Sequence, residues 1–377
     1  MTQRPYLSVV MPAHRALAVL PRVMDALLAS DLPREEWEFL VVDDASPDDT
    51  PGLAARHADA VIRLPGPPQG PAYARNRGAE AARGEVLVFV DSDVCVHPAT
   101  LRQFAELFRA HPDIGAAFGS YDDKPPAPGI VSQYRNLLHH YHHQQNGGDA
   151  ETFWAGCGAI RRALFLQAGK YDEWHYPKPS IEDIELGHRL RAIGCRIVLR
   201  PEIQCTHLKQ WTLKNMAKTD LHDRGVPWMR LLLQEERIGT MRSLNLKLSE
   251  KINTALAGLG VLLLLAAPFV DWRLVLVTGL LGLPIFLTNL PLYGFFRRTK
   301  GLAFTLAIMP LHYFYYVLNC VSASLGIVLH HVIGEPHPRP AVQAFAEVGV
   351  SHWPPVPTRG KWHPWSGSRR AAGEGTR

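Results

Sequence analysis

Three stretches without a formal charge dominate the C-terminal part of this chain: Ile252–Val270, Leu274–Phe296 and Gly301–Gly334, the last interrupted only by His312, His330 and His331. A helix needs about 20 mainly apolar residues to cross a bilayer, so each run is long enough. Core helices of a soluble domain are the alternative, but charge-free runs of this length are hard to place there. Residues 1–250 read differently, with short apolar runs alternating with polar helical patterns. The chain is therefore expected to join a folded α/β part to a helical membrane region.

Charge placement suggests a topology. Arg242, Lys247 and Lys251 precede the first run, while Arg297, Arg298 and Lys300 follow the second. Cations favour the cytoplasmic side, so these two runs should form an in–out–in hairpin around Asp271–Arg273. The third run is open. A single tilted helix would carry Arg359, Lys361, Arg369, Arg370 and Arg377 outward, whereas a break near Pro310 or Asn319 would return them. The first strand begins at Leu7, leaving no room for a signal peptide, so the catalytic part is expected in the cytoplasm. The expected location is the cell (inner) membrane, multi-pass. The 5 cysteines show no C-x-x-C spacing, which fits a reducing compartment without disulfides or structural zinc. A net charge of +5 is modest and gives no reason to expect nucleic acid as a partner.

Strands are expected at Leu7–Met11, Phe39–Val42, Ala60–Leu64, Val86–Val90, Ile114–Phe118 and Arg196–Leu199. Helical patterns lie between them at Leu17–Leu28, Ala72–Ala82 and Thr100–Ala110. This alternation predicts a mostly parallel sheet flanked by helices. Residues 209–251 mix cations with Trp211, Leu213, Met216, Trp228, Met229 and Leu231–Leu233, a pattern expected of helices lying on lipid headgroups. The alternative is an ordinary helix packed on the catalytic domain. The expected organisation is 1–208 catalytic, 209–251 interfacial, 252–334 transmembrane with two to four helices, and 335–377 a basic, disordered tail.

The chemistry starts at Asp91-Ser92-Asp93, which closes the apolar run Val86–Val90. Two carboxylates at i and i+2 suit a divalent cation, and Mg²⁺ or Mn²⁺ is usually shared with substrate phosphates. The carboxyl ends of parallel strands are where such sheets bind ligands. Asp43 and Asp44 end the second strand and can accept hydrogen bonds from a base or a ribose. Asp48 and Asp49 fit better as caps of the helix that follows.

Taken in order, Ser8–Ala13 (SVVMPA), Val42–Asp48 (VDDASPD), Gly70–Gly78 (GPAYARNRG) and Phe89–Asp93 (FVDSD) resemble the inverting family 2 glycosyltransferases of the GT-A fold. The resemblance covers about Ser8 to His207; its motifs are individually weak and strong as an ordered set. It implies a nucleotide-sugar donor, with Pro12, Ala13, Asp43 and Asp44 at the nucleoside and Arg75 facing the nucleotide. Asp91 would touch ribose or metal, and Asp93 would hold the metal.

Phe153–Arg162 (FWAGCGAIRR) resembles the family's glycine-rich acceptor loop before a short helix. There Gly156 and Gly158 would allow close backbone approach and Trp154 would stack on a sugar. Trp211 is placed on the acceptor side as well. Ser180–Leu190 carries the family's Glu-Asp pair opening a helix. Inverting transfer needs a base for the acceptor hydroxyl, and Asp183 is the candidate, with Glu182 orienting the acceptor. The structural alternative is a capping box between Ser180 and Asp183. His207 fits a third metal ligand. The absence of an arginine before Trp211 argues against a processive polymerase. His139, His140, His142 and His143 read as a solvated or cleft-lining helix face.

The expected activity is transfer of a sugar, which the resemblance implies is UDP-linked, to a lipid or lipid-linked envelope glycan. A nucleotidyltransferase is disfavoured because Pro12–Ala16 holds no glycine-rich loop. An inactive membrane scaffold is disfavoured because Asp44, Asp91, Asp93 and Asp183 are all present.

Overall fold

The computed structural model describes residues 4–235 and 247–334. Strands β1 (Leu7–Ala13), β2 (Trp37–Asp43) and β4 (Val86–Val90) are buried along their whole length, with β3 (Ala60–Arg63) at the sheet edge. Burial on both faces is why these segments read as unbroken apolar runs. Helices α1 (Leu20–Leu28), α2 (Thr50–Ala54) and α3 (Pro71–Ala81) connect them. The pairs β1–β2, β1–β4 and β2–β3 are all parallel.

Past β4 the sheet becomes mixed. The remaining strands are β5 (Val94–Val96), β6 (Ile114–Tyr121), β7 (Gly148–Ala150), β8 (Cys157–Arg161) and β9 (Arg196–His207). Between them lie α4 (Thr100–Ala110), α5 (Ile130–Gln144), α6 (Arg162–Gln167) and α7 (Glu182–Ala192). In space the order is β3-β2-β1-β4-β8-β6-β9-β5, with β7 on β9 outside that path. Strand β8 runs antiparallel between β4 and β6. The sequence there reads as a glycine-rich loop, because Gly156 before the strand and Gly158 within it hide a five-residue strand.

Two registers position the site. Val90 pairs with Cys157, which sets the loop before β8 against the end of β4. Val94 pairs with His207, which brings the end of β9 beside Asp93.

The chain continues through α8 (Leu213–Lys218), a π-helical turn at Thr219–Gly225, and α9 (Val226–Gln234). Thr212 and Asn215 form a reciprocal capping box at the start of α8. Trp211, Met216, Leu231 and Leu232 are buried within the protein rather than turned outward, while Leu213 is exposed. Arg242 and the tail 335–377 lie outside the described residues.

The apolar runs become α10 (Leu248–Ala266), α11 (Leu274–Thr288), α12 (Leu290–Lys300) and α13 (Leu302–Ile333). Helices α10 and α13 are each long and apolar enough to cross a membrane, and the α11–α12 pair, bent by 67°, counts as a third only if it forms one span. The bend falls at Asn289, so the second run is not one straight helix. Helix α13 instead runs unbroken through Pro310 and Asn319. Large apolar side chains such as Leu262, Leu265, Leu280 and Val332 stand exposed on these helices.

The helices are also fastened to the sheet domain. Leu292, Phe296 and Ile308 share one core cluster with Tyr134, Leu137 and Trp211. Tyr134 Oη and His312 Nδ1 lie 2.8 Å apart, and His312 Nε2 lies 3.0 Å from Asn289 Oδ1.

Candidate active site

The carboxyl ends of β1, β2 and β4 open into a cavity of about 590 Å³. Pro12, Ala13 and Asp44 line one end of it. The Asp44 carboxylate accepts from the backbone N–H of Gln69 at 2.8 Å and of Gly70 at 2.7 Å, so it shapes the loop that enters α3. Gly70 adopts φ +94°, and an added Cβ would lie 2.3 Å from the Pro177 carbonyl oxygen, so both the turn and the packing require glycine there. Asp43 is buried, and its Oδ1 has no hydrogen-bond partner among the described residues. Asp48 accepts from Thr50 at the start of α2, whereas Asp49 makes no side-chain cap bond.

Arg75 leaves α3 and is buried. Its Nη2 donates to Asp91 Oδ1 at 2.6 Å and its Nη1 to Glu182 Oε1 at 2.9 Å. Burial raises the Asp91 carboxyl's pKa, Arg75 pulls it down and the Asp93 charge lifts it again. A direct 2.6 Å contact argues for the ionised pair.

Asp93 faces His207, with Oδ2 3.5 Å from Nε2. His207 Nδ1 lies 2.7 Å from Asn136 Oδ1, and an amide oxygen only accepts, so Nδ1 carries the proton. In a neutral ring that leaves Nε2, the nitrogen facing Asp93, as the one able to hold a metal ion. The ring is held by a 4.3 Å stack on Tyr121. A carboxylate beside an imidazole lone pair, with the other imidazole nitrogen anchored, fits a divalent cation that draws its remaining ligands from phosphates. Asp91 lines the same cavity, with its Oδ1 held by Arg75. Among the described residues no three acidic, histidine or cysteine side chains converge on one metal position.

Asp183 sits in the first turn of α7. Its Oδ1 accepts from Ile184 N–H at 2.8 Å and its Oδ2 from Ala155 N–H at 3.3 Å. Burial and the neighbouring Glu182 push its pKa up to about 6. The Ser180 capping box is absent: Ser180 Oγ donates to the Asp223 carbonyl, and Ile181 is the N-cap. Asp183 is thus not taken up by a Ser180 cap, and its carboxylate lines the cavity. Glu182 is held from two sides, since its other oxygen accepts from Ser180 N–H at 2.9 Å.

The loop before β8 works differently from the expectation. A Cβ on Gly156 would lie 2.5 Å from the Trp154 ring, and one on Gly158 would lie 2.2 Å from the Trp154 carbonyl oxygen. These glycines make room for Trp154. Gly156 also lines the cavity, whereas Gly158 is buried inside β8, paired with Phe89 and Phe118. Trp154 packs edge-on to Tyr121, His139 and His143. His139, His142 and His143 line the cavity, and burial holds all three in the neutral form, with His142 down to about 4 and His143 to about 3. His140 instead contacts the Tyr121 carbonyl oxygen at 2.7 Å. Trp211 lines the cavity beneath the ammonium of Lys209, 4.3 Å from the ring centroid.

Arg224, Arg135 and Tyr315 also reach this cavity, and none was singled out from sequence. They lie in or beyond helices whose sequence carries no recognisable motif; only the packing of α5, the π-helical turn and α13 brings them in.

The family model described as Glycosyl transferase family 2 matches residues 8–168. TarS of Staphylococcus aureus, a poly(ribitol-phosphate) beta-N-acetylglucosaminyltransferase, is 31% identical over 108 residues, covering 28% of this chain and 19% of that protein. Validoxylamine A glucosyltransferase of Streptomyces hygroscopicus is 27% identical over 241 residues, covering 52% of this chain and 54% of that protein. The chain thus spans well under two thirds of the length of either relative. Among solved structures, the mannosyltransferase PcManGT of Pyrobaculum calidifontis, in complex with GDP-mannose and Mn²⁺, superposes with TM-score 0.56 at 19% identity, covering 89% of each chain. That likeness establishes the GT-A fold.

Proposed function

We propose that this chain, whose residues 8–168 match the glycosyl transferase family 2 model, transfers a sugar from a nucleotide-sugar donor to an acceptor hydroxyl, inverting the anomeric carbon. The observation that carries the reading is Asp183, a buried carboxyl with its pKa near 6 in the same cavity as the Asp93–His207 pair. A base with a pKa close to working pH is matched to its task.

In the reaction the acceptor oxygen attacks the anomeric carbon as its proton passes to Asp183. The bond from that carbon to the diphosphate oxygen breaks, and its electron pair leaves with the nucleoside diphosphate. Pro12, Ala13 and Asp44 bind the nucleoside from the cavity wall, with Asp43 buried beside them. Arg75 fixes Asp91 on the donor side and Glu182 on the acceptor side. Trp154, Gly156 and Trp211 line the acceptor end. Asp93 and His207 would hold Mg²⁺ or Mn²⁺, which when bound supplies positive charge to the leaving diphosphate. The Mn²⁺ in the PcManGT complex supports a divalent metal.

The donor is read as UDP-linked because the resemblance to family 2 implies it, and the sugar is left to experiment. The acceptor is read as a lipid or lipid-linked envelope glycan, and α10–α13 as a multi-pass anchor in the cell membrane with the catalytic part cytoplasmic. Support comes from the apolar lengths of α10 and α13, their exposed leucines, and Tyr315 of α13 in the cavity wall. The proposed division is 1–208 catalytic, 209–251 interfacial and 252–334 membrane-spanning.

The test is nucleoside diphosphate release from UDP-, GDP- and dTDP-sugars by detergent-solubilised protein with total membrane lipid, with Mn²⁺ or EDTA. One donor should turn over only with metal and lipid extract. Turnover with water-soluble acceptors alone would remove the lipid reading, and no turnover of any donor would remove the transferase reading.

A further inference from the structure

We propose that Arg224 grips the diphosphate of the donor and neutralises the oxygen that leaves the anomeric carbon. This rests on the transferase reading above and assigns that site a cation with no sequence motif behind it.

Most other cations facing the cavity are already engaged. Arg75 is shared between Asp91 and Glu182, Arg135 pairs with Asp220, and Lys209 lies over Trp211. Arg224 has no ion-pair or hydrogen-bond partner among the described residues, yet it lines the cavity. Its charge acts on Asp183 and His139, which line the same cavity. Lys178 also lacks a partner, but it stands on the strip that lines a second cavity too and is not tied to the reacting centre.

The segment bearing Arg224 is held rigidly. It lies in the π-helical turn Thr219–Gly225, a geometry common at functional sites. Asp220 is bound to Arg135 of α5, and the Asp223 carbonyl accepts from Ser180 just ahead of the base helix. A Cβ on Gly225 would come 2.4 Å from Ser322 Oγ of α13, so the turn is pressed onto that helix. Three elements thus fix the backbone of a residue whose guanidinium has no ion-pair or hydrogen-bond partner among the described residues. An unengaged planar fork is suited to two oxygens of a diphosphate.

As the anomeric bond breaks, negative charge gathers on the departing diphosphate oxygen while the acceptor proton goes to Asp183. Arg224 meets that charge without giving up a proton.

The experiment is calorimetric titration of the full-length, detergent-solubilised protein with UDP, GDP, UMP and GMP in Mn²⁺, for wild type, Arg224→Gln, Arg224→Lys and Lys178→Gln. Arg224→Gln should weaken the bound diphosphate by about tenfold or more, the scale of a lost charge-assisted hydrogen bond. Its monophosphate affinity and melting temperature should stay at the wild-type values. Arg224→Lys should fall between, and it carries the test if the glutamine variant fails to fold. Equal loss for mono- and diphosphate, no loss for either, or an equal effect of Lys178→Gln would overturn the assignment. Wild type that binds no nucleotide would overturn the transferase reading itself.

Discussion

Arg75 Nη1 donates to Glu182 Oε1 at 2.9 Å, joining residues 107 positions apart. Its other nitrogen reaches Asp91, so a single guanidinium fixes the spacing between the end of β4 and the start of the base helix. Both Arg75 and Glu182 are buried. Removing one member of such a pair leaves an uncompensated buried charge, at a cost of about 3–5 kcal/mol. Arg75→Met should therefore lower the denaturation midpoint strongly as well as abolish transfer. A midpoint equal to wild type would show that the bridge does not hold the site together.

Asp183 sets the pH response. With its pKa near 6, the carboxyl is a competent base above that value and a spent one below. The rate kcat/KM should fall about tenfold per unit below pH 6 and level off above it. Asp183→Asn should remove this limb and lower kcat by about 10²–10⁴-fold. A profile unchanged in Asp183→Asn would assign the base elsewhere. Linkage gives the matching stability effect. A carboxyl whose folded pKa is raised contributes stability that is fully present below its unfolded pKa near 3.8 and is lost as pH rises through 6. Asp183→Asn should thus melt no lower than wild type at pH 7.

Asn136 orients His207 by accepting from its Nδ1. Asn136→Leu should raise the Mn²⁺ concentration for half-maximal activity by about 10–100-fold, the usual scale for losing such an orienting partner. His207→Ala should do the same or more. Metal titrations that superpose on wild type for both variants would exclude His207 as a ligand.

The glycines before and within β8 should differ in tolerance. In Gly158→Ala the new methyl meets a backbone oxygen at 2.2 Å, which cannot rotate away. Overpacking of this kind costs about 1–3 kcal/mol. In Gly156→Ala it meets the Trp154 ring, so that side chain must shift and the acceptor end of the cavity with it. Denaturant melts should show the larger loss for Gly158→Ala, and acceptor KM the larger change for Gly156→Ala. The reverse ranking would mean that Trp154 is dispensable to the cavity.

The sequence by itself determined the parallel half of the sheet, the Asp-Ser-Asp motif at its edge and the apolar helices that follow. These are local signals: a buried parallel strand is apolar at every residue, and a spanning helix must be long and charge-free. Helix α4 falls at Thr100–Ala110, as its pattern reads. Only the tertiary structure decided which acids act alone and which are paired. Asp91 and Asp93 are two residues apart in one motif, yet one is bound to Arg75 and the other faces His207. That division comes from the β5–β9 register and the placement of α3, both long-range pairings with no trace in local composition. The bend at Asn289 and the arrival of Arg224 in the cavity are likewise products of helix packing, because a side chain's partners depend on which faces meet and not on its neighbours in the chain.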